Sequence, residues 1–273
     1  MKASSTFIRA LVWLAASFTI GMLLFIVGYI FYQGLPAMNL GLFEWEYTTS
    51  NVSMMPAIIS TLVVIGVSLL IAVPIGVFTG FYLVEYADRS SKLINVIRLA
   101  TDTLAAVPSI VYGLFGMLFF VIQLGMQYSH MAGILTITIM ILPIIISSTE
   151  EGLLSVDNSL RMGSLALGAG KLRTIFTVVL PVAMPGILSG IILAIGRIVG
   201  ESAALIYTLG SSSGMMQNLF SSGRTLAVHM YVLSNEGFHV EEAYATAAVL
   251  ILIVLVINAI STWISNKLSS GGK

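Results

Sequence analysis

Residues 150–208 read EEGLLSVDNSLRMGSLALGAGKLRTIFTVVLPVAMPGILSGIILAIGRIVGESAALIYT, and this stretch decides how the chain is organised. Its first half, residues 150–180, is polar and helix-compatible but is interrupted by glycines. Its second half becomes an apolar helix that carries Arg197 and Glu201. We expect a partner protein to act on the polar half and a polar solute to pass the apolar half.

The composition around this stretch is that of an integral membrane protein. Hydrophobic residues make up 58% of the 273 residues and charged residues 9%, against about 25% charged in soluble domains. The net charge is zero, so nothing indicates a nucleic-acid partner. The chain has no cysteine, and its three scattered histidines lack metal-ligand spacing. We therefore expect neither a metal site nor a bound cofactor.

Six apolar runs reach the length of about 20 residues that a bilayer crossing needs. We place them at residues 11–33, 57–86, 105–127, 131–148, 185–209 and 245–264. The first is longer than the core of a signal peptide, so we expect it to be retained. The pattern predicts an all-α polytopic protein in which residues 1–273 form a single transmembrane domain.

Basic residues fall almost entirely on one side of a six-span topology. Only Arg224 lies in an opposite connection, and Arg197 lies within a span. The other ten are Lys2, Arg9, Arg89, Lys92, Arg98, Arg161, Lys171, Arg173, Lys267 and Lys273. The positive-inside rule then places both termini in the cytoplasm.

The chain lacks the motifs of an enzyme. The run at residues 168–171, GAGK, resembles part of a phosphate-binding loop, but the full pattern needs glycine where Leu165 stands and serine or threonine where Leu172 stands. We find no nucleophile elbow, zinc-binding helix or paired catalytic carboxylates. If ATP drives transport, another subunit must hydrolyse it.

Residues 155–180 have the pattern of two short helices joined by glycines. Aliphatic residues recur at near-helical spacing, and we expect Arg161, Lys171 and Arg173 to remain in water. Such a helix pair suits a groove in another protein. An interfacial helix on lipid headgroups would show the same spacing, so the spacing leaves both interpretations open.

The same segment resembles the Glu-Ala-Ala loop of ABC importer permeases. The matching positions are Gly168, Val178, Leu180 and Pro181, and the departures, at the acid and the two alanines, are Met162, Gly163 and Ser164. The resemblance implies a loop within residues 150–181 that couples to an ATPase. It assigns the coupling contact to Arg161, Gly163, Ser164, Leu167, Gly168, Ala169, Gly170, Leu180 and Pro181.

Two further stretches resemble the membrane subunits of phosphate-specific ABC transporters. They are DTLAAVPSIVYG at residues 102–113 and RIVGESA at residues 197–203. Thr149, Glu150 and Glu151 precede the loop and match the end of a Thr-Thr-Glu-Glu motif, and the order of motifs is similar to that of PstA-type permeases over essentially the entire chain. In those permeases an arginine usually comes just before Thr-Thr-Glu-Glu, and Ser147 stands at that position here. If that arginine serves the anion path, this chain must rely on Arg197 or on a partner permease.

Arg197 is a charge that span five has to accommodate, at a cost of about 3 kcal/mol near the bilayer centre. Glu201 follows four residues later, on the same face of a continuous helix. The rest of that face is small or polar: Gly186, Gly190, Ala194, Ala204 and Thr208. Gly196 and Gly200 would let another helix approach on an adjacent face.

We predict that Arg197 lowers the barrier to the anion and that Glu201 holds Arg197 when the path is empty, so that the pair can act as a gate. A purely structural salt bridge is the alternative. Asp102, Ser109 and Tyr112 lie at the predicted cytoplasmic entry of span three, where they could line the path with Ser147. Packing and capping roles are the alternative for the first three.

These observations predict a type I ABC importer permease of MetI-like architecture, forming half the pathway of an ATP-driven inorganic phosphate importer. The resemblance implies four kinds of partner: a PstC-type second permease, two PstB-type ATPases, an external PstS-type phosphate-binding protein and the lipid of a bacterial or archaeal plasma (inner) membrane. A permease for sulfate or molybdate is one alternative. A secondary transporter is another, although it would usually show inverted repeats that the sequence lacks.

Overall fold

The computed structural model describes residues 2–88 and 91–270, and within these residues all regular structure is helical. Arg89 and Lys273, two of the residues used to assign orientation, lie outside the described residues. The helices are α1 Lys2–Ala37, α2 Met55–Tyr86, α3 Lys92–Ala106, α4 Ser109–Gln123, α5 His130–Leu154, α6 Asn158–Ala166, α7 Lys171–Val199, α8 Ala203–Thr208, α9 Leu226–Glu236 and α10 Val240–Ser270.

Five of these helices, α1, α2, α5, α7 and α10, are long and apolar enough to cross a membrane. A sixth span is present if α3 and α4, which meet at a bend of 103°, are counted as one. The predicted all-α class with six spans is confirmed in this sense, with the third span broken.

The bend between α3 and α4 lies at Val107 and Pro108. Proline has no backbone N–H, and its ring disfavours helical backbone in the residue before it. Both residues are extended, with ψ of 130° and 142°. Across the bend, the Tyr112 hydroxyl donates to the Leu104 carbonyl at 2.7 Å. The expectation of one continuous span over residues 105–127 is therefore wrong.

Helix α5 is the centre of the bundle and packs between α2 and α7. Glycines bring the backbones together at both interfaces. A β-carbon on Gly76 or Gly80 of α2 would lie 2.7 Å from side-chain atoms of α5, and one on Gly190 of α7 would lie 2.2 Å from Ser148. Larger residues would push the helices apart, so these contacts require glycine.

Helix α7 contains the segment in which we expected a second short helix. The chain instead continues from Lys171 to Val199 as one helix. A wide, π-type turn at Ile175–Val179 comes just before Pro181, whose ring would clash with a carbonyl of a regular α-helix. Leu180 and Pro181 therefore lie inside a helix, and the connection between α5 and α7 contains only α6.

Helix α7 ends at Val199, and Gly200, Glu201 and Ser202 separate it from the short helix α8. The first N–H groups of a helix have no partner within it. The Glu201 carboxylate supplies one, because it accepts a hydrogen bond from the Ala204 N–H at 3.0 Å. The expectation that span five continues as one helix over residues 185–209 is wrong for this reason.

Candidate functional site

Arg197 lies in the last turn of α7 and is half-buried. It lines a cavity of about 530 Å³ together with Ala105 of α3, Ile144 of α5 and Asn258 of α10. Within the described residues its side chain has no ion pair. The cavity therefore holds a cation that no carboxylate of the described chain neutralises.

The predicted ion pair between Arg197 and Glu201 is wrong. The helix breaks between the two residues, so a spacing of four no longer places them on one face. Glu201 is 8% exposed, and its carboxylate is engaged by the Ala204 N–H. A gate in which Glu201 holds Arg197 has no support in this geometry, and neither has the alternative of a structural salt bridge between them.

The small-residue face of span five is a packing surface. Gly186 lies directly against Gly152 of α5. The other members of the face are buried: Gly190, Ala194, Ala204 and Thr208. Gly196 and Gly200 are not approached by another helix of the described chain. The expected close approach at these two glycines is therefore absent within the described residues.

The bend separates the three residues that we expected together at the entry of span three. Asp102 lies on α3, whereas Ser109 and Tyr112 lie on α4. Ser109 is the first residue of α4 and is half-buried. Tyr112 is buried, and its hydroxyl bonds across the bend to the Leu104 carbonyl. The structure therefore separates Asp102 from Ser109 and Tyr112, and none of the three lines the cavity of Arg197.

Asp102 and Ser147 meet in a second cavity of about 260 Å³. The rest of its lining consists of Leu83, Arg98, Thr101, Glu150, Glu151 and Leu154. Here Arg98 of α3 and Glu150 of α5 form an ion pair, with 2.6 Å between Nη2 and Oε1. Three carboxylates and one guanidinium line this cavity, in contrast to the single cation at Arg197.

Sequence reasoning missed Arg98 as a site residue because it was counted only as a loop charge. The structure places Arg98 in the same cavity as Ser147, where the family resemblance leads one to expect an arginine. One signal was available, since Arg98, Asp102 and Ala105 recur at the spacing of one helical face. Arg197 and a partner permease were the two sources of positive charge considered for the missing arginine. Arg98 is a third source, and it lies in the same cavity as Ser147.

The two cavities follow one another along the seam between α3 and α5, which we call the α3–α5 groove. Helix α3 contributes Asp102 to one cavity and Ala105 to the other, and α5 contributes Ser147 and Ile144. Residues three apart are neighbours on one helical face. The groove therefore runs from Arg197 toward the end of α5 that precedes α6.

The predicted coupling segment lies exposed beyond the end of α5. Gly168 has a φ of +85°, which favours glycine, and it reverses the chain between α6 and α7. Gly163, Gly168 and Gly170 have no neighbour within 4 Å of a β-carbon position. Ser164 is half-buried and bonds to Thr174 at 2.9 Å, and Ala169 is half-buried. The exposed large apolar residues between positions 158 and 172 are Leu160, Met162, Leu165, Leu167 and Leu172.

Arg161 differs from our expectation that it remains in water. Its side chain is 17% exposed, and it forms an ion pair with Glu85 at the end of α2. Lys171 and Arg173 are exposed, as expected. Glu85 was not singled out from the sequence, because nothing local to it indicates a partner 76 residues away.

The fold is similar to that of solved ABC transporters. A chain of the MetNI methionine ABC transporter in an inward-facing conformation matches with a TM-score of 0.60 and 19% identity, covering 78% of this chain and 93% of that one. A chain of the bacterial alginate ABC transporter, in complex with an alginate pentasaccharide-bound periplasmic protein, matches with a TM-score of 0.63 and 14% identity, covering 97% and 94%. At these identities the likeness concerns the fold alone.

Curated relatives are much closer in sequence. The probable ABC transporter permease protein YqgI of Bacillus subtilis is 36% identical over 222 residues, 75% of each chain. The phosphate transport system permease protein PstA of Pasteurella multocida is 34% identical over 261 residues, 94% of this chain and 92% of that protein. PstA of Haemophilus influenzae is 33% identical over 230 residues, 83% and 81%.

A family profile completes the comparison. The profile described as binding-protein-dependent transport system inner membrane component matches residues 72–270, which include the second part of α2 and all of α3 to α10. The match thus contains both cavities and the coupling segment. This chain therefore belongs to the family of inner-membrane components of binding-protein-dependent transport systems.

Proposed function

We propose that this chain is the PstA-type permease subunit of an ATP-driven inorganic phosphate importer and forms half of its pathway. Relatives named as PstA phosphate permeases, at 33–37% identity, support this assignment. The observation that carries it within the molecule is Arg197, a half-buried guanidinium without an ion-pair partner among the described residues. A guanidinium can form two parallel hydrogen bonds with phosphate oxygens.

The α3–α5 groove is the route that this geometry supports. At one end, Arg197 offsets the cost of removing water from the anion. At the other end, Asp102, Glu150 and Glu151 outnumber Arg98, so an anion is repelled there and released. Ser147 supplies a hydroxyl group to the cavity at this second end, whereas Ser109 lines neither cavity. The groove thus combines a binding end with a releasing end.

The partners follow from the same assignment. The coupling segment contacts one of two PstB-type ATPases, which carry ATP and Mg²⁺, while a PstC-type permease and an external PstS-type phosphate-binding protein complete the assembly. Docking to a protein is favoured over lipid headgroups because α6 has only one basic residue, Arg161, and its guanidinium is bound inside the bundle. Interfacial helices instead present their cations to lipid. Both termini then face the cytoplasm of a bacterial or archaeal cell.

Reconstitution of the complete assembly in liposomes tests the proposal. We expect phosphate with the external binding protein to stimulate ATP hydrolysis and drive uptake of labelled phosphate. A hundredfold excess of sulfate or molybdate should not reduce this uptake, whereas strong competition by either anion would reassign the substrate. Absence of ATP dependence would instead support a secondary transporter.

A deletion tests the coupling segment separately. Removal of residues 166–170 should leave the protein in the membrane but abolish co-purification of the ATPase subunits. The matched control is the Arg173→Gln variant, which alters an exposed charge of the same segment. Retained association in the deletion variant would refute the coupling role.

A further inference from the structure

Arg161 joins three helices at the end of the bundle that carries the coupling segment. It belongs to α6, and its Nε donates to Glu85 Oε1 of α2 at 3.1 Å. Its Nη1 donates to the Val156 carbonyl at 2.7 Å, and its Nη2 donates to the Leu153 carbonyl of α5 at 2.6 Å. All three guanidinium nitrogens are therefore occupied, and they tie α6 to the ends of both α2 and α5.

Lys171 adds a second attachment at the same place. As the first residue of α7, it donates from Nζ to the backbone carbonyl of Glu85. Its Nζ also lies 4.4 Å from the ring centroid of Tyr86. The two sides of the coupling segment, α6 and the start of α7, thus converge on the last turn of α2.

The contact is shielded from water. The side chains of Arg161 and Glu85 are 17% and 10% exposed. A charge-assisted hydrogen bond in such surroundings is stronger than one on the surface, and removal of one partner leaves an uncompensated charge. Movement of α6 therefore displaces the ends of α2 and α5, because separation from them would break a buried ion pair.

We propose that Glu85 and Arg161 are positioning residues that transmit displacement of the coupling segment to the transport groove. This inference rests on the proposed function and names the contact through which an ATPase would act. Helix α5 carries Ile144 and Ser147 into the two cavities, and glycines of α2 pack directly on α5. A push on α6 thereby reaches the groove walls through Arg161.

The test measures phosphate transported per ATP hydrolysed by the complete assembly in liposomes. Glu85→Gln preserves shape and removes the charge. We expect normal assembly and continued ATP hydrolysis, with the ratio of uptake to hydrolysis lowered about fivefold or more. The conservative variant Glu85→Asp, which keeps a carboxylate for Arg161, should retain more of the ratio than Glu85→Gln, and the control Arg173→Gln should leave it unchanged.

An unchanged ratio in assembled Glu85→Gln overturns the proposal, and so does an equal fall in hydrolysis and uptake, because the contact would then serve only ATPase docking. If Glu85→Gln does not assemble, the same ratio is measured for Arg161→Gln, which removes the ion pair from the other side, and a normal value there overturns it. If the unmodified assembly transports sulfate or molybdate and not phosphate, the proposed function fails, while the ratio measured with that anion still tests the contact.

Discussion

Arg161 and Arg197 are both partly buried arginines of the same stretch, and their surroundings are opposite. Arg161 uses all three guanidinium nitrogens on a carboxylate and two carbonyls. Arg197 lines a cavity of about 530 Å³ and has no ion pair among residues 2–88 and 91–270. The first cation is satisfied by its own chain, whereas the second is available to something that enters the cavity.

The difference shows how a structural charge and a functional charge can be told apart. A buried cation without a counter-charge lowers stability, and such a residue is retained when a ligand compensates it. A cation with a complete set of partners holds helices in place. We propose from this contrast that Arg161 transmits force and that Arg197 binds the anion, and the same substitution made at both positions tests the distinction.

The same substitution at the two sites should give the largest contrast. Arg161→Met leaves Glu85 without its partner, so we expect the free energy of unfolding to fall by about 3–5 kcal/mol. Arg197→Met removes an unpaired charge, so this variant should be at least as stable as the unmodified protein. Unfolding of each purified variant in mixed detergent micelles measures both values. Equal destabilisation by the two substitutions would contradict the distinction.

Substitution of Arg197, which should not lower stability, should strongly lower the rate of phosphate uptake. Arg197→Gln removes a charged hydrogen bond worth about 1.5–3 kcal/mol to the passing anion, so uptake should fall about 10- to 100-fold while assembly is retained. Arg197→Lys keeps the charge and should fall less. Initial rates of labelled phosphate uptake give the comparison. Rates near normal in both variants, with full assembly, would exclude an anion-binding role.

Arg98 provides an intermediate case, since it is paired and yet lines a cavity. Arg98→Gln leaves Glu150 unpaired beside Ser147, and we expect a loss of uptake of about 10-fold, smaller than for Arg197→Gln. The double variant Arg98→Gln/Ser147→Arg returns a guanidinium to the same cavity and should recover part of the rate. No recovery in a well-assembled double variant would mean that the position of Arg98 matters beyond its charge.

His229 lies on α9, outside the candidate spans, and the effect of the nearby Arg224 charge on its pKa leads to the smallest expected change in stability. Burial, and next the charge of Arg224, lower its pKa from 6.5 to about 3. The folded state therefore resists protonation, and stability is lost as the pH falls from 6.5 toward 3. Between pH 6.5 and 5.5 we expect a loss of about 1 kcal/mol.

Variants at two histidines isolate this contribution. His229→Gln should flatten the pH dependence over that interval, because the titrating group is gone. His239→Gln, at a half-exposed site, is the matched control and should keep the original slope. A slope that persists in His229→Gln would show that other groups dominate.

The sequence was sufficient for much of the fold because apolar runs and basic loops obey simple rules. The family profile agrees with the resemblance drawn from the loop around Gly168 and the run at residues 197–203. The errors in the extent of the spans occur at helix breaks. Pro108 was visible within span three, but hydropathy does not reveal a bend of 103°. Gly200 and Glu201 read equally well as helix interior until the carboxylate is seen on the Ala204 N–H.

The candidate site was less predictable because its geometry depends on contacts distant in sequence. Arg197 was identified because a charge in an apolar span is conspicuous. Its supposed partner was chosen from helical periodicity, which fails once the helix ends. Arg98 with Glu150, and Arg161 with Glu85, join residues on different helices. A single sequence carries no signal for such pairs.

The bend between α3 and α4 has a consequence for where the groove opens. If α4 crosses the bilayer, α3 must run nearly along its surface, because the two helices meet at 103°. The end of the α3–α5 groove near Arg98 then lies at the depth of the phospholipid phosphates, within reach of the surface potential of anionic lipids. Departing anions would meet that negative potential as well as the carboxylates of the cavity, so membrane lipid composition and ionic strength should influence the rate of release.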